Sequence, residues 1–170
     1  KIEILKGLSL ESKTESSNTN VKLGRTDDSS SNEKLNTVKA SSISTFEDTG
    51  DEVCSKNGVP IVRVYSTTWC PHCQWISSTV DSVLSEYAKD KKIIAYHYEL
   101  DTGDDTLTLE TEKAVPQADL DIYEKYNPQG SIPTFVFGCK YSRVGNGYEA
   151  KGDLALEEAE FRAVIEELIQ

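Results

Sequence analysis

Two cysteines separated by two residues, Cys70 and Cys73, are the side chains best suited to chemistry in this 170-residue chain. They follow an apolar, β-rich run at Pro60–Ser66 and precede a segment with helical periodicity. At such a junction the first sulfur lies over the helix N-terminus, where free N–H groups and the helix dipole stabilise a thiolate. The second cysteine lies one turn further on, within reach of a disulfide. The spacing therefore predicts thiol–disulfide exchange.

The segments around this motif alternate between strand and helix patterns. Apolar residues at three- and four-residue steps after Cys73 predict an amphipathic helix, and Lys92–Leu100 predicts a second strand. The remaining predicted elements are a short helix, a β-hairpin and a final helix, at Ala118–Tyr126, Ile132–Phe137 with Ser142–Tyr148, and Leu156–Ile169. This order predicts an α/β fold whose central sheet is covered by helices on both faces.

The first fifty residues differ in composition from the rest. Between residues 9 and 50, twenty of forty-two residues are Ser, Thr or Asn, and Phe46 is the only aromatic residue. Such a segment buries too little apolar surface to offset its ordering entropy. We therefore predict a flexible tail or stalk over residues 1–50 and a folded domain over residues 51–170. A short strand is also predicted near the start, from an alternating apolar run at Ile2, Ile4, Leu8 and Leu10.

The charge of the chain restricts its partners. The net charge is −11, and residues 51–170 carry eleven Lys or Arg against twenty-one Asp or Glu. Without a basic stripe to displace phosphate counterions, nucleic acid is not expected as a partner. No run approaches the roughly 20 apolar residues that cross a bilayer. Because the chain begins at Lys1 and has no methionine, we expect that a signal peptide or membrane anchor has been removed.

A strand that runs into W-C-x-x-C at residues 69–73, followed about sixty residues later by I-P-T at residues 132–134, resembles the thioredoxin superfamily. The likeness covers about residues 58–170. It implies a thioredoxin fold, a central mixed β-sheet flanked by helices, here with a long polar N-terminal tail. It also implies a cis peptide bond at Pro133, beside the cysteines, with nearby backbone free to pair with a substrate peptide. Trp69 and Ile132 are the other implied substrate contacts.

The resemblance also implies roles for the four residues of the motif. Cys70 would be the nucleophile and Cys73 the resolving cysteine. The dipeptide Pro71-His72 resembles the DsbA-type oxidants, whereas the I-P-T segment resembles thioredoxin itself. The imidazole of His72 would favour the Cys70 thiolate and make the disulfide more oxidising. We therefore expect a reduction potential between about −270 mV, as in thioredoxin, and about −120 mV, as in DsbA, and nearer the latter.

Two features depart from the family. In the family a buried carboxylate six residues before the first cysteine serves proton transfer with the second cysteine, but here that position is Val64. Either water or another acid takes the proton of Cys73, or the deprotonation of Cys73 is slower than in the relatives. Residues 101–117 form an acidic insertion. We predict a solvated loop there, with a partner-docking lid as the alternative. Its five acids lack the spacing of a calcium loop.

Cys54 and Cys139 lie outside the motif. In the family's sheet, the strand after Pro133 runs antiparallel to the strand that ends near Cys70, which implies that Cys139 lies close to Cys54. We favour a structural disulfide between them, with two buried free thiols as the alternative. Zinc is disfavoured because no second C-x-x-C or His pair supplies further ligands. His97 is interpreted as a structural or surface residue.

Together these features predict an extracytoplasmic protein thiol–disulfide oxidoreductase, secreted or tethered to the outer face of the membrane. We favour oxidase or isomerase activity on protein substrates. The protein is expected to be a monomer that exchanges electrons with a membrane or soluble redox partner. No haem, flavin or nucleotide motif occurs, so no cofactor is expected beyond the cysteines. The alternatives are a thioredoxin-like reductase and a non-catalytic binding or assembly module that presents Trp69 and the Pro133 edge.

Overall fold

The structure, a computed structural model, describes residues 42–170. The predicted strand near residues 2–10, and the predicted tail as far as residue 41, lie outside the described residues. The described part is an α/β fold in which a mixed sheet is flanked by three helices. Its strands are β1 (Glu47–Asp48), β2 (Ser55–Lys56), β3 (Val59–Ser66), β4 (Ile94–Glu99), β5 (Asp104–Asp105), β6 (Thr134–Phe137) and β7 (Tyr141–Val144). Its helices are α1 (Pro71–Lys89), α2 (Gln117–Tyr126) and α3 (Leu154–Leu168), with a short 3-10 helix at Glu149–Lys151.

The sheet is built around β3. The strand order is β1-β7-β6-β3-β4-β5, and β2 pairs with the start of β3. β3 runs parallel to β4 and antiparallel to β6, with Val64 opposite His97 on one side and Phe135 on the other. β3 lies in the middle of the sheet and is largely buried on both faces, which explains its mostly apolar sequence.

Alternate residues of the central strands pack against different helices. Val62 and Val64 of β3 join one core cluster with residues of α1 and α3, and Tyr65 packs against Tyr123 of α2 at 4.9 Å between ring centroids. The side chains of α1 in this core recur at the predicted helical spacing and are Ile76, Val80, Val83, Leu84 and Tyr87. Helices therefore cover both faces of the sheet, as predicted. Within residues 42–170, no helix is both long and apolar enough to cross a bilayer.

The N-terminal part of the described chain belongs to the domain. Phe46 is buried in the main core cluster, and β1 pairs with β7. The backbone N–H groups of Ser44 and Thr45 both donate to the buried carboxylate of Glu160, at 2.6 Å for Thr45. The predicted domain boundary at residue 50 is therefore too late, because one aromatic side chain and a buried acceptor anchor a segment of polar composition.

The β6–β7 hairpin forms around residues 138–140, as predicted, but its second strand is shorter. Gly138 has φ +62°, which L side chains rarely adopt, and a Cβ there would lie 2.6 Å from a methyl group of the Leu168 side chain, so glycine is favoured. β7 ends at Val144 rather than Tyr148, because Gly145 turns the chain with φ +80° and donates its N–H to the carbonyl oxygen of Pro133 at 2.7 Å. The turn directs residues 146–149 toward the start of α1.

Candidate active site

The junction between β3 and α1 positions Cys70 as the N-cap of the helix. The Sγ atom of Cys70 accepts the backbone N–H of Cys73 at 3.3 Å. Pro71 occupies the first helical turn, where its fixed φ suits the helix and its missing N–H costs nothing. The Cys70 sulfur therefore receives the N–H and the positive dipole end of a 19-residue helix.

Cys73 lies one turn inside α1 and in a different environment. Both cysteines are free thiols, each 3% exposed. Burial raises the pKa of Cys73, and the hydrogen bond with Cys70 raises it further. A backbone hydrogen bond with Thr67 opposes this increase only in part. Cys73 is therefore held as a thiol beside the sulfur that caps the helix.

The segment before β6 forms one wall of the site. The Ile132–Pro133 peptide bond is cis, and the carbonyl oxygen of Ile132 lies 4.0 Å from Cys70 Sγ. Asn127, at the end of α2, holds this segment by donating to the carbonyl of Ser131 and to Thr134 Oγ1, the latter at 2.8 Å. The fold thus brings the I-P-T segment next to the cysteine motif.

His72 points away from the core and is held by two residues that the sequence analysis did not identify. Its Nδ1 atom lies 2.8 and 2.9 Å from the carboxylate oxygens of Glu149. Asn146 donates to the His72 carbonyl oxygen at 2.9 Å and to Glu149 at 2.8 Å. Partial burial opposes ionisation of Glu149, but the hydrogen bonds from Asn146 and His72 outweigh it and lower its pKa. No spacing in the sequence marks Asn146 or Glu149, since the turn after β7 brings them here.

Trp69 lies on the surface next to the motif and is 68% exposed. The residue before it, Thr68, is held by a carboxylate of the insertion. Asp101 accepts the backbone N–H of Thr68 at 3.1 Å and also its hydroxyl. The same bonds lower the pKa of Asp101. The loop that carries Trp69 is thus held in place while the indole itself faces solvent.

The acids of the insertion mostly organise the insertion itself. Asp105 accepts the backbone N–H groups of His97 and Leu107 at 2.9 and 3.2 Å. Asp104 accepts the N–H of Glu112 at 2.8 Å, and Glu112 accepts the N–H of Asp105. These carboxylates accept hydrogen bonds from backbone N–H groups that would otherwise bind water. The loop backbone is therefore held in one conformation although it contains little strand.

Cys54 and Cys139 form a disulfide, with Cα atoms 5.3 Å apart. It lies at the end of the sheet where β3 begins and β6 ends, away from the cysteine motif where β3 ends. The predicted structural disulfide is thereby confirmed, and the alternative of two free thiols is wrong. The N–H of Cys54 also donates to the carbonyl of Gly138 at 2.8 Å, which aligns the two segments that the disulfide joins.

Comparison of the chain with models of known protein families found no match, and neither did comparison with curated proteins. The functional interpretation therefore depends on the residues and their geometry. Those residues are a helix-capping cysteine, a buried second thiol, a cis-proline segment and a histidine held by a carboxylate.

Proposed function

We propose that the protein is a thioredoxin-superfamily thiol–disulfide oxidoreductase that acts on protein substrates through Cys70 and Cys73. One observation carries the proposal: Cys70 Sγ caps α1 and accepts the Cys73 N–H, while Cys73 remains a buried thiol beside it. The mixed sheet, with β3 parallel to β4 and antiparallel to β6, and the cis-proline segment beside Cys70 are compatible with this superfamily.

The reaction follows from the unequal environments of the two sulfurs. The Cys70 thiolate attacks one sulfur of a substrate disulfide, forms a mixed disulfide and releases the other substrate sulfur as a thiolate. Cys73 then loses its proton and attacks Cys70, which breaks the mixed disulfide and releases the second substrate thiolate. The substrate gains two electrons and the protein becomes the Cys70–Cys73 disulfide. Oxidation of a substrate dithiol is the same sequence reversed.

We favour the oxidising direction, as an oxidase or isomerase. The imidazole of His72, two residues after Cys70 and held by Glu149, would favour the thiolate, which stabilises the reduced protein and makes its disulfide a stronger oxidant. The Cys54–Cys139 disulfide supports an extracytoplasmic location, where such bonds persist. There a membrane or soluble redox partner would reoxidise Cys70 and Cys73. Exposed Trp69 and the Ile132–Pro133 edge would contact the substrate.

A glutathione redox titration of wild type and His72→Ala tests the direction. We expect a wild-type potential nearer −120 than −270 mV, on the order of DsbA. The His72→Ala disulfide is expected to be at least about tenfold less oxidising, equivalent to about 30 mV for a two-electron couple. A wild-type potential near that of thioredoxin would instead assign the protein as a reductase.

A second candidate is a binding or assembly module. It is favoured by the combination of a 68% exposed Trp69 with a Cys70 that is only 3% exposed. Insulin reduction and refolding of scrambled ribonuclease separate the two functions, because a binding module fails both assays. The Cys70→Ser variant is expected to abolish turnover in both assays if the protein is an enzyme. Retained turnover in that variant would contradict the proposed role of Cys70.

A further inference from the structure

A hydrogen-bonded chain of three polar side chains crosses from β3 through β4 to α1, buried at Ser66 and His97 and partly exposed at Asp81. Ser66 Oγ lies 2.9 Å from His97 Nε2, and His97 Nδ1 lies 2.5 Å from Asp81 Oδ1. The parallel pairing of β3 and β4 turns His97 toward the face covered by α1. His97 is 2% exposed and Ser66 4%. His97, interpreted from the sequence as a structural or surface residue, therefore lies at the buried centre of this network.

The partners of His97 determine where its proton lies. Asp81 presents a carboxylate that also accepts the Ser77 hydroxyl at 3.2 Å, so the Nδ1 atom of His97 is the donor to Asp81. The Nε2 atom is then an acceptor, and the Ser66 hydroxyl donates to it at 2.9 Å in preference to the more distant carbonyl oxygen of Tyr98 at 3.5 Å. In this arrangement the chain can accept one further proton, with the resulting imidazolium stabilised by Asp81.

A small polar cavity joins this chain to the cysteine site. Its volume is about 50 Å³, and its walls include Ser66, Thr67, Cys73, Ser77 and Glu99. Thr67 Oγ1 is buried in the same region and has no hydrogen-bond partner among residues 42–170. A polar cavity of this volume accommodates at least one water molecule. Such a water would satisfy Thr67 and connect the Cys73 thiol with the Ser66 hydroxyl.

We propose that Ser66, His97 and Asp81 form the proton relay of Cys73, an inference that rests on the proposed exchange reaction. The Cys73 thiol gives its proton to the cavity water, the water gives a proton to Ser66 Oγ, and the Ser66 hydroxyl proton passes to His97 Nε2. The Cys73 thiolate then attacks Cys70 and the substrate thiolate leaves with the electron pair. When the reaction runs backwards, the relay returns the proton.

Other titratable groups surround the relay. Asp105 of β5 accepts the backbone N–H of His97, and burial raises the pKa of this carboxyl group. Glu99 of β4 lines the cavity directly and is the rival proton acceptor. The arrangement also resembles the serine–histidine–aspartate triad of hydrolases. The buried Ser66 and a cavity of about 50 Å³ leave no room for an ester or peptide substrate, so the geometry favours proton transfer.

If the relay operates, replacing one of its residues should slow the resolving step of Cys73 and leave the first attack by Cys70 unchanged. Reduced protein is mixed with dithiobis-nitrobenzoate, which releases one coloured thiolate when Cys70 attacks and a second when Cys73 resolves the mixed disulfide. In His97→Gln and Ser66→Ala we expect an unchanged first phase. The second phase is expected to be at least about tenfold slower near neutral pH. This threshold is set below the roughly 10²–10⁴-fold contribution that is typical of general acid–base catalysis.

The pH profile distinguishes a relay from a structural role. In both variants the second phase should recover at alkaline pH, where hydroxide takes the Cys73 proton directly, whereas a packing defect would slow it at every pH. Asp81→Asn provides a further relay variant if His97→Gln does not fold. Ser78→Ala, which removes an exposed hydroxyl from α1, is the matched control and should leave both phases unchanged.

Each remaining outcome is decisive. Normal second phases in His97→Gln and Ser66→Ala would overturn the relay while leaving the proposed function intact. Slowing confined to Glu99→Gln would overturn it in favour of that carboxylate. Absence of the first phase in the wild-type protein would instead contradict the proposed function itself.

Discussion

At the scale of single residues, folding separates two chemically identical side chains. Cys70 caps a helix and accepts an N–H, whereas Cys73 is buried one turn later with a raised pKa. In an unfolded chain Cys73 would titrate as an ordinary thiol, near pH 8.5 or so. Folding therefore favours the protonated form of Cys73, and the stability of the reduced protein depends on pH through this group.

The stability of the reduced protein is expected to decrease, through Cys73, as the pH rises above about 8.5. The contribution of a group with a raised folded-state pKa is complete below its unfolded pKa and is lost as the pH approaches the folded value. The slope for one group is at most about 1.4 kcal/mol per pH unit. Urea unfolding at increasing pH, for reduced wild type and Cys73→Ala, measures it.

The comparison of these two proteins isolates the cysteine, because both retain the buried tyrosines whose pKa values are also raised. The Cys73→Ala variant is expected to lose less stability over the same rise in pH. Parallel pH profiles for the two proteins would contradict the assignment of Cys73 as a buried neutral thiol.

At the scale of elements, a segment of polar composition completes the core. Phe46 packs against Phe137 and Phe161, and the guanidinium of Arg143 lies 4.6 Å from the centre of the Phe46 ring. Arg143 is itself buried and paired with Glu157 at 2.7 Å. The segment before β1 therefore covers a buried ion pair as well as apolar side chains, which makes it part of the domain.

Phe46→Ala is expected to lower the free energy of unfolding by about 3–5 kcal/mol, as truncation of a buried aromatic side chain does. Leu109→Ala is the matched control, because Leu109 is fully exposed and its truncation should change stability by less than about 0.5 kcal/mol. Urea unfolding of the two variants checks the difference. Equal stabilities would show that the Phe46 segment does not contribute to the folded domain.

At the scale of the whole molecule, the two cysteine pairs occupy opposite ends of β3. The disulfide joins residues 85 apart in sequence and connects the segment just before β2 to the β6–β7 turn. The free thiols lie where β3 ends and α1 begins. One pair thus restrains the chain, while the other consists of free thiols, which the proposed function would use for exchange.

Replacing the disulfide by Cys54→Ala together with Cys139→Ala is expected to lower the free energy of unfolding by up to about 4 kcal/mol, because an unfolded chain without the cross-link gains entropy. The redox equilibrium constant of Cys70 and Cys73 with glutathione should stay within about twofold of wild type, since distant sites are nearly independent. Chemical unfolding and a glutathione titration give the two values. A large change in the redox constant would contradict this separation of roles.

Much of the fold could be predicted because long elements carry their own periodicity. α1 is recognisable from apolar spacing and β3 and β4 from β-rich runs, and the observed ends of the two strands differ from the predicted ones by no more than two residues. The two-residue strands β1, β2 and β5 were not predicted, since two residues show no alternation. β7 was predicted too long, because the pattern did not reveal that Gly145 turns the chain.

The sequence by itself determined the chemistry that the site offers: two cysteines at a strand–helix junction, with Pro71 and His72 between them. These assignments depend on local spacing, which the helix converts directly into geometry. Only the tertiary structure decided which distant groups surround the sulfurs. Glu149 reaches His72 through a turn, and Ser66 and Asp81 meet through His97, because sheet pairing and helix packing join residues that no short-range pattern connects.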